Sequence, residues 1–235
     1  MNKKLSELTM SYKENIINSI EPNFTFNKEP INRFKIQETK SKNKNEEIIK
    51  LKKLINSIEN CNLKNNSRNL ILGEGNINSP IMIIGEAPCL ADEKNNKTFQ
   101  GDSGTLLEKM LLAINLKKKD IYSCYAINFR PPEDRKPTSQ EIKRYSNFVK
   151  EHISIIDPKI VVLFGGTAME SVTSSKEKIS NERGKWKEII LKNKTFLLMT
   201  TFSPSYLFRF PENKKYSWED LKKIRQKILD LKIEI

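Results

Sequence analysis

Carboxylate side chains follow the first strongly apolar segment of the chain. Glu86 lies directly after Gly85, and Asp92 and Glu93 come a few residues later in the same polar segment. A carboxylate beside a reacting group can orient a water molecule or stabilise developing positive charge. These three residues are therefore candidate catalytic groups, and a solvated loop is the alternative interpretation.

An aromatic side chain in the same region could bind a planar ligand. Phe99 lies just before Gln100 and Gly101, where a segment with helical spacing begins. Aromatic rings stack on nucleobases because every base presents a flat π face. Phe99 is therefore a candidate base-stacking residue, and an ordinary core or lid aromatic is the alternative.

A proline-rich basic segment, "RPPEDRKPTSQE" (130–141), could contact phosphate groups. Its prolines restrict the backbone, and Arg130 and Arg135 carry guanidinium groups that suit phosphate oxygens. The alternative is a stiff connector whose arginines form salt bridges within the protein.

The segment "TTFSPSYLFRFPEN" (200–213) follows another apolar run. Ser203 and Ser205, in a predicted loop, could present hydroxyl groups. The stretch from Tyr206 onward combines aromatic side chains with Arg209, and apolar wedges beside a basic residue can unstack DNA. The alternative is a strand-to-helix turn with a buried aromatic cluster.

Composition narrows the class of partner. Lysine and arginine total 42 against 29 aspartates and glutamates, which gives a net charge of +13 over 235 residues. Such a surplus suggests a polyanionic partner, most often nucleic acid, although a lysine-coated surface is the other explanation. The three cysteines are far apart, so a reducing cytoplasm is expected. The sequence shows neither a membrane-spanning apolar run nor a signal peptide.

The order of apolar segments predicts the fold class. Residues 1–45 are polar and indicate an N-terminal extension or linker, and residues 46–235 indicate a folded domain. Strands alternate with helices in that domain, which favours a mainly parallel sheet covered on both faces. Ligands bind such sheets at the carboxyl ends of the strands. The predicted strands occupy 80–88, 120–129, 159–166 and 195–202.

The order and spacing of these segments resemble the uracil-DNA glycosylase superfamily, and most closely its bacterial type-4 branch. The similarity runs from about Cys61 to Leu231, and its stretches include "MIIGEAP", "TFQGDSGTLLEKML", "IYSCYAINFRPPEDRKPT", "IIDPKIVVLFG" and "SPSYLFRFPENKKYSWEDL". The resemblance implies a three-layer α/β/α sandwich around a four-stranded, mainly parallel sheet. It also implies that uracil is flipped out of DNA and its N-glycosidic bond hydrolysed.

Site roles follow from the resemblance position by position. Glu86 matches the carboxylate of the family's GEAPG motif, and the acidic pair downstream falls at Asp92 and Glu93. Phe99 matches the phenylalanine that stacks on the base. Tyr125 lies where the family has the asparagine that recognises the uracil edge, so it is a candidate base-binding residue.

Several positions depart from the family pattern. Cys89 replaces the last glycine of GEAPG, and Ser203 replaces the histidine that donates to the uracil oxygen. The iron–sulfur cluster of many type-4 enzymes needs four thiolates. Phe129 replaces one of those ligands, and only Cys61 lies near a family ligand position. We therefore expect neither a cluster nor another metal.

Three functional hypotheses result. The first is a monomeric DNA glycosylase for uracil or another deaminated base in base excision repair. The second is a degenerate glycosylase fold that binds DNA or a protein partner without cleaving. The third is a structural protein that does not bind nucleic acid. The single histidine, His152, lies in an amphipathic helical segment and is interpreted as structural.

Overall fold

The computed structural model describes residues 43–234, in which the predicted parallel sheet has two additional edge strands. The strands follow the order β1-β3-β2-β4-β6-β5 across the sheet. The four central strands are parallel, as predicted, whereas β1 and β5 are antiparallel to their neighbours. The strands are β1 (Gly73–Gly75), β2 (Ile81–Gly85), β3 (Tyr122–Tyr125), β4 (Ile160–Phe164), β5 (Trp186–Leu191) and β6 (Lys194–Thr201).

Helices cover both faces of this sheet, which confirms the three-layer α/β/α class. Within the described residues they are α1 (Lys44–Asn56), α2 (Asn62–Asn66), α3 (Leu90–Asn95), α4 (Gly101–Leu112), α5 (Ser139–Ile156), α6 (Gly166–Thr173), α7 (Ile179–Glu182), α8 (Pro204–Arg209) and α9 (Lys214–Asp230). None of the helices in this part of the chain combines the length and apolarity that crossing a membrane requires.

Successive side chains of the central strand β2 pack into two different core layers, one on each face of the sheet. Ile83 packs in the layer that contains Leu107 of α4 and Ile224 of α9. Ile84, the next residue, packs in the layer that contains Ile153 of α5 and other residues of α5 and α6. Successive side chains of a strand point to opposite faces, so continuous apolar strands require helices on both sides.

The edge strands β1 and β5 were absent from the sequence prediction and together raise the strand count from four to six, and β5 is the longer of the two. It joins β6 through Lys192 and Asn193, which have φ values of 48° and 63°. Two consecutive residues with positive φ form the turn type that matches the twist of a two-stranded hairpin. The turn therefore fixes β5 against β6 although its outward residues are exposed.

Two other segment predictions need correction. The strand predicted at 120–129 is shorter, since β3 ends at Tyr125. The residues from Ala126 to Phe129 are buried but do not continue the strand. The predicted loop at Ser203–Ser205 is the start of a helix. Ser203 caps α8 by accepting a hydrogen bond from Tyr206 N, and Pro204 fills the first helical position. Proline is favoured there because its missing N–H would have no partner in the helix.

The predicted N-terminal extension lies outside the described residues except for its last three positions. Asn43 caps α1 by accepting a hydrogen bond from Asn45 N, so α1 begins at Lys44. The buried face of α1 carries Leu51 and Ile55, which pack with Phe129 and Tyr145 in a third apolar cluster. The start of the folded region therefore has its own buried contacts.

Candidate active site

A cleft opens where three central strands end. β2, β4 and β6 run in the same direction, so the segments after Gly85, Phe164 and Thr201 meet at one edge of the sheet. The cleft has a volume of about 790 Å³. Its lining includes Glu86, Cys89, Gly165, Thr167, Ser203 and Arg209. It lies at the edge where sheets of this kind bind ligands.

Glu86 is the candidate catalytic carboxylate that the structure places in this cleft. Its Oε1 accepts a hydrogen bond from Thr167 N at 3.1 Å, at the N-terminus of α6. Gly165 makes this approach possible, because a Cβ added there would lie 2.3 Å from Glu86 Cδ. The φ of Gly165 is 102°, which also favours glycine. The helix terminus thus holds one oxygen of the carboxylate and stabilises its negative charge.

Asp92 has a structural position instead. Its side chain is 2% exposed and it does not line the cleft. Oδ1 accepts from Gln100 N at 2.7 Å, and Oδ2 accepts from Cys89 N at 2.7 Å and from the Tyr125 hydroxyl at 2.9 Å. Both oxygens therefore bind groups of the protein, and Asp92 holds the turn before α3 and the segment before α4 together.

Glu93 is likewise buried among donors of the protein. Its Oε1 accepts hydrogen bonds from Ser67 Oγ and from Arg68 N, both at 2.7 Å. Burial alone would raise the pKa of Glu93, but these hydrogen bonds, together with the charge of Arg130, hold that pKa below its usual value. Glu93 therefore connects the segment after α2 to α3 as a carboxylate, away from the cleft.

The two candidate base-binding aromatics, Phe99 and Tyr125, pack against each other. Their ring centroids are 4.9 Å apart at an interplanar angle of 37°. Phe99 is 7% exposed and Tyr125 is 5% exposed. The Tyr125 hydroxyl also accepts a hydrogen bond from Phe99 N at 2.8 Å. The structure thus brings the predicted pair together, but a face of Phe99 is covered by Tyr125 rather than open to the cleft.

The close contact of both rings with the strand end requires Gly85. A Cβ at this position would lie 2.7 Å from Phe99 Cζ and 2.7 Å from Tyr125 Cδ1. Burial raises the pKa of Tyr125, and the nearby Asp92 charge acts in the same direction. Tyr125 is therefore a neutral hydroxyl that can donate to Asp92 while accepting from Phe99 N.

Ser203 lies in the cleft as the cap of α8. Its Oγ accepts a hydrogen bond from Tyr206 N at 3.3 Å and lies 3.1 Å from Ser205 Oγ. Ser203 is 5% exposed, whereas Ser205 is exposed. Accepting from a backbone N–H leaves the hydroxyl proton of Ser203 available for donation, either to Ser205 or to a ligand.

The predicted phosphate-binding arginines differ in their partners. Arg130 Nε lies 2.6 Å from Asp134 Oδ1, and both Nη atoms of Arg135 bind Glu141, at 2.9 and 2.7 Å. These pairs match the alternative interpretation of a connector stiffened by internal salt bridges. Exposed Arg209 lines the cleft, and none of the carboxylates described lies within salt-bridge distance of it.

A second depression adjoins the cleft. It has a volume of about 760 Å³ and shares Lys136, Phe202 and Tyr206 with the cleft lining. Sequence reasoning did not single out Lys136, although it follows Arg135 directly in the basic segment. It also did not single out Gly165 and Thr167. The two consecutive glycines after the apolar strand could have indicated a tight turn beside a ligand.

Comparison with known proteins shows the family of this chain. The model of the uracil DNA glycosylase superfamily matches residues 72–224. The chain belongs to the uracil-DNA glycosylase superfamily. It is 33% identical over 168 residues to a type-4 uracil-DNA glycosylase of Thermotoga maritima, covering 70% of this chain and 86% of that protein.

Two further relatives of this superfamily member differ in kind. A type-4 uracil-DNA glycosylase of Sulfurisphaera tokodaii is 32% identical over 185 residues, which cover 75% of this chain and 83% of that protein. A DNA polymerase of Bacillus phage SP01 is 27% identical over 150 residues, which cover 63% of this chain and 16% of the polymerase. The second similarity therefore concerns a small part of a longer protein.

The cysteines of this superfamily member do not fit the four-thiolate cluster that the resemblance raises. The chain has three cysteines. Cys61 is buried with its Sγ 3.3 Å from the Tyr145 hydroxyl, and Cys124 is fully buried in β3. Phe129, which the resemblance assigns to a ligand position, packs edge-on against Tyr145 with the ring centroids 6.4 Å apart. Among the described residues, no group of three or more His, Cys, Asp or Glu could hold a metal ion.

Proposed function

We propose that this protein hydrolyses the N-glycosidic bond of uracil, or of another deaminated base, in DNA. The observation that carries the proposal is that Glu86 and Ser203 both line one cleft in a chain of the uracil-DNA glycosylase superfamily. The curated relatives named type-4 uracil-DNA glycosylase support the same activity.

The reaction begins with extrusion of the target nucleotide, because its reacting bond is inaccessible inside a duplex. The bond between C1′ and the base nitrogen breaks, and its electron pair leaves with the base. The negative charge of Glu86 stabilises the positive charge that develops on the sugar. Glu86 then accepts a proton from the water that attacks C1′, while the Ser203 hydroxyl donates a hydrogen bond to the departing base. The base anion takes up a proton from solvent and Glu86 releases its proton to solvent, so the products are the free base and an abasic sugar that carries the hydroxyl of the attacking water.

A second candidate function is DNA binding without cleavage, and one observation favours it. Tyr125 covers one face of Phe99, so a base could stack on that face only if Tyr125 moved. The hydroxyl of Tyr125 is held between Asp92 and Phe99 N, which opposes such a movement. In this case the cleft would bind the sugar–phosphate backbone while the base side stayed closed.

Strand cleavage at uracil distinguishes the two functions. Labelled oligonucleotides with one uracil, single-stranded or paired with guanine or adenine, are incubated with excess protein and then treated with alkali. We expect breaks at the uracil, and we expect Glu86→Gln to abolish them because the carboxylate charge is lost. Hypoxanthine and xanthine substrates test another base choice.

Two restoring variants sharpen the result. Ser203→His should raise the rate, because losing one pre-organised donor costs about 10²–10³ in rate. Tyr125→Asn in the same chain should increase preference for uracil by removing the ring that covers Phe99. If all these proteins bind DNA but neither wild type nor the double variant cleaves any of the bases, the binding function replaces the enzyme.

The remaining expectations accompany this proposal. We propose that DNA is the partner, that the protein acts as a monomer in the cytoplasm, and that it works without an iron–sulfur cluster or other metal. The residues before Asn43, which caps α1, are proposed to form a polar extension or linker that precedes the glycosylase-like domain.

A further inference from the structure

Exposed aromatic side chains are concentrated in one short segment. Among residues 43–234, the aromatic residues that are more than two-fifths exposed are Phe208, Phe210, Tyr216 and Trp218, with exposed fractions of 58%, 44%, 43% and 43%. Exposed large apolar side chains mark an interaction site where they join into one surface. All four follow the cap of α8 and lie beside the cleft segment or at the start of α9.

Three rings of this region form a continuous stack. Phe202 and Tyr206 have centroids 4.9 Å apart at an angle of 28°, and Tyr206 and Phe210 are 4.9 Å apart at 38°. The stack begins at Phe202, which is 6% exposed, and ends at the exposed ring of Phe210. A further planar ring could therefore extend it from the outside.

Arg183 connects this stack to Tyr216. Its guanidinium carbon lies 5.7 Å from the centroid of Phe202 and 5.3 Å from the centroid of Tyr216. Asp220 fixes the guanidinium group with contacts of 3.0 and 2.6 Å. These rings and the guanidinium thus form one connected surface, which we call the aromatic strip: Phe202, Tyr206, Phe210, Tyr216 and Arg183.

The aromatic strip spans the cleft and the second depression. Phe202 and Tyr206 line both, Tyr216 lines the second depression, and the exposed ring of Phe208 lines the cleft beside the strip. Basic side chains accompany it: Lys215 Nζ lies 5.0 Å from the Tyr216 ring, and Arg209 lies in the cleft. The second depression is lined by three lysines and two glutamates besides Arg183, namely Lys136, Lys176, Lys178, Glu170 and Glu177.

We infer that the aromatic strip is a stacking surface for unpaired nucleotides, which guides a single DNA strand from the cleft into the second depression. Exposed rings interleaved with cations match the chemistry of a single strand, whose bases present free π faces and whose backbone is anionic. A duplex offers no free faces to such rings, since its bases stack on one another. The inference rests on the proposed function only because it takes DNA as the ligand. It adds that the protein prefers single-stranded DNA to duplex DNA.

Binding of DNA without uracil tests the inference separately from catalysis. Fluorescence anisotropy is measured for the full chain with a labelled 20-nucleotide thymidine strand and with a duplex of equal length. Phe210→Ala and Tyr216→Ala should each weaken single-strand binding roughly fivefold or more, because each removes a stacking ring. Duplex binding should change less than about twofold for both variants, since the rings gain nothing from stacked pairs.

The chain supplies matched controls. Trp218 is as exposed as Tyr216, but none of the ring or guanidinium contacts among the described residues joins it to the aromatic strip, and it lies two positions along α9 on a different helix face. Trp218→Ala should therefore leave both affinities unchanged. Tyr216→Phe retains the ring and its contact with Arg183, so it should bind the single strand as tightly as wild type, which shows that the ring and not the hydroxyl is required.

Each contrary result has a distinct meaning. Equal losses on single strand and duplex would show that the rings grip duplex DNA and would overturn the inference. Unchanged single-strand affinity in both alanine variants would do the same, as would concentration-dependent dimers that dissociate in Tyr216→Ala. If the protein does not excise uracil, the binding measurements still test the inference. If it excises uracil but does not prefer single-stranded DNA, the inference is overturned and the proposed function is not.

Discussion

Replacing Tyr125 by phenylalanine removes one hydroxyl and leaves the ring over Phe99 in place. That hydroxyl accepts from Phe99 N at 2.8 Å and donates to Asp92 Oδ2 at 2.9 Å. Asp92 Oδ2 retains a second donor in Cys89 N at 2.7 Å. The Phe99 N–H loses this acceptor in a residue that is 7% exposed. The variant therefore leaves one buried donor without its observed acceptor and changes almost nothing in volume.

The cost follows from that unpaired donor. A buried N–H without an acceptor costs about 1–3 kcal/mol. Phe99 also has a φ of 49°, which non-glycine residues adopt rarely, so the hydrogen bond helps to hold an unfavourable backbone conformation. We expect Tyr125→Phe to lower the free energy of unfolding by about 1–3 kcal/mol. For a chain of this size each kcal/mol lowers Tm by about 2–4 °C.

Urea denaturation followed by far-ultraviolet circular dichroism at pH 7 measures the change. Tyr216→Phe is the matched control, because Tyr216 is 43% exposed and none of the described residues binds its hydroxyl. Its free energy of unfolding should stay within about 0.5 kcal/mol of wild type. If Tyr125→Phe also stays within that limit, the hydroxyl does not hold the Phe99 segment and the reasoning is refuted.

Other predictions follow from the same structure. Gly165→Ala should lower the free energy of unfolding by about 1–3 kcal/mol and displace Glu86, while Gly166→Ala, which has open space for a Cβ, should not; equal effects in urea denaturation would contradict this. Burial lowers the pKa of the only histidine, His152, to about 4, below its unfolded value of about 6.5. The unfolded state therefore binds the extra proton between those values, and stability should fall by up to about 3 kcal/mol as pH drops from 6.5 to 4, a slope that His152→Gln should flatten. Arg209→Ala should lower DNA affinity and reduce the slope of log K against log salt by about 0.7–0.9; an unchanged slope would exclude a phosphate contact. Protein purified without oxygen should be colourless, and about four irons per chain by elemental analysis would reveal an unrecognised cluster.

The central sheet was predictable because its signal is local. β2, β4 and β6 are short apolar runs that end at glycine or at a polar residue, and such runs must be buried on both faces. β5 gave no such signal, because its sequence, WKEIIL, is neither a continuous apolar run nor a strict alternation of polar and apolar residues. Its pairing depends on the turn at Lys192 and Asn193, which lacks the Asn-Gly or Asp-Gly sequence that usually marks a two-residue hairpin turn.

The candidate site was predictable only in part, for a physical reason. Glu86 and Ser203 follow strand ends directly, so strand order alone brings them to one edge of the sheet. The roles of Asp92 and Tyr125 depend on a hydrogen bond between residues 33 positions apart, which periodicity cannot reveal. Arg135 had a visible local partner, Glu141, six residues away across a proline-restricted turn.

Different contacts hold Glu86, on the proposed sugar side of the cleft, and Tyr125, on the proposed base side. Catalysis and base access can therefore be tested by separate substitutions. Glu86 is held by the N-terminus of α6 and by the space that Gly165 leaves, and none of these contacts involves Tyr125. Tyr125, Asp92 and Phe99 instead form one hydrogen-bonded unit. Replacing Tyr125 by asparagine should therefore change base access while the Glu86 carboxylate keeps its position. Loss of activity in Glu86→Gln together with a gain in Tyr125→Asn would locate the chemistry on the sugar side and the control of substrate on the base side.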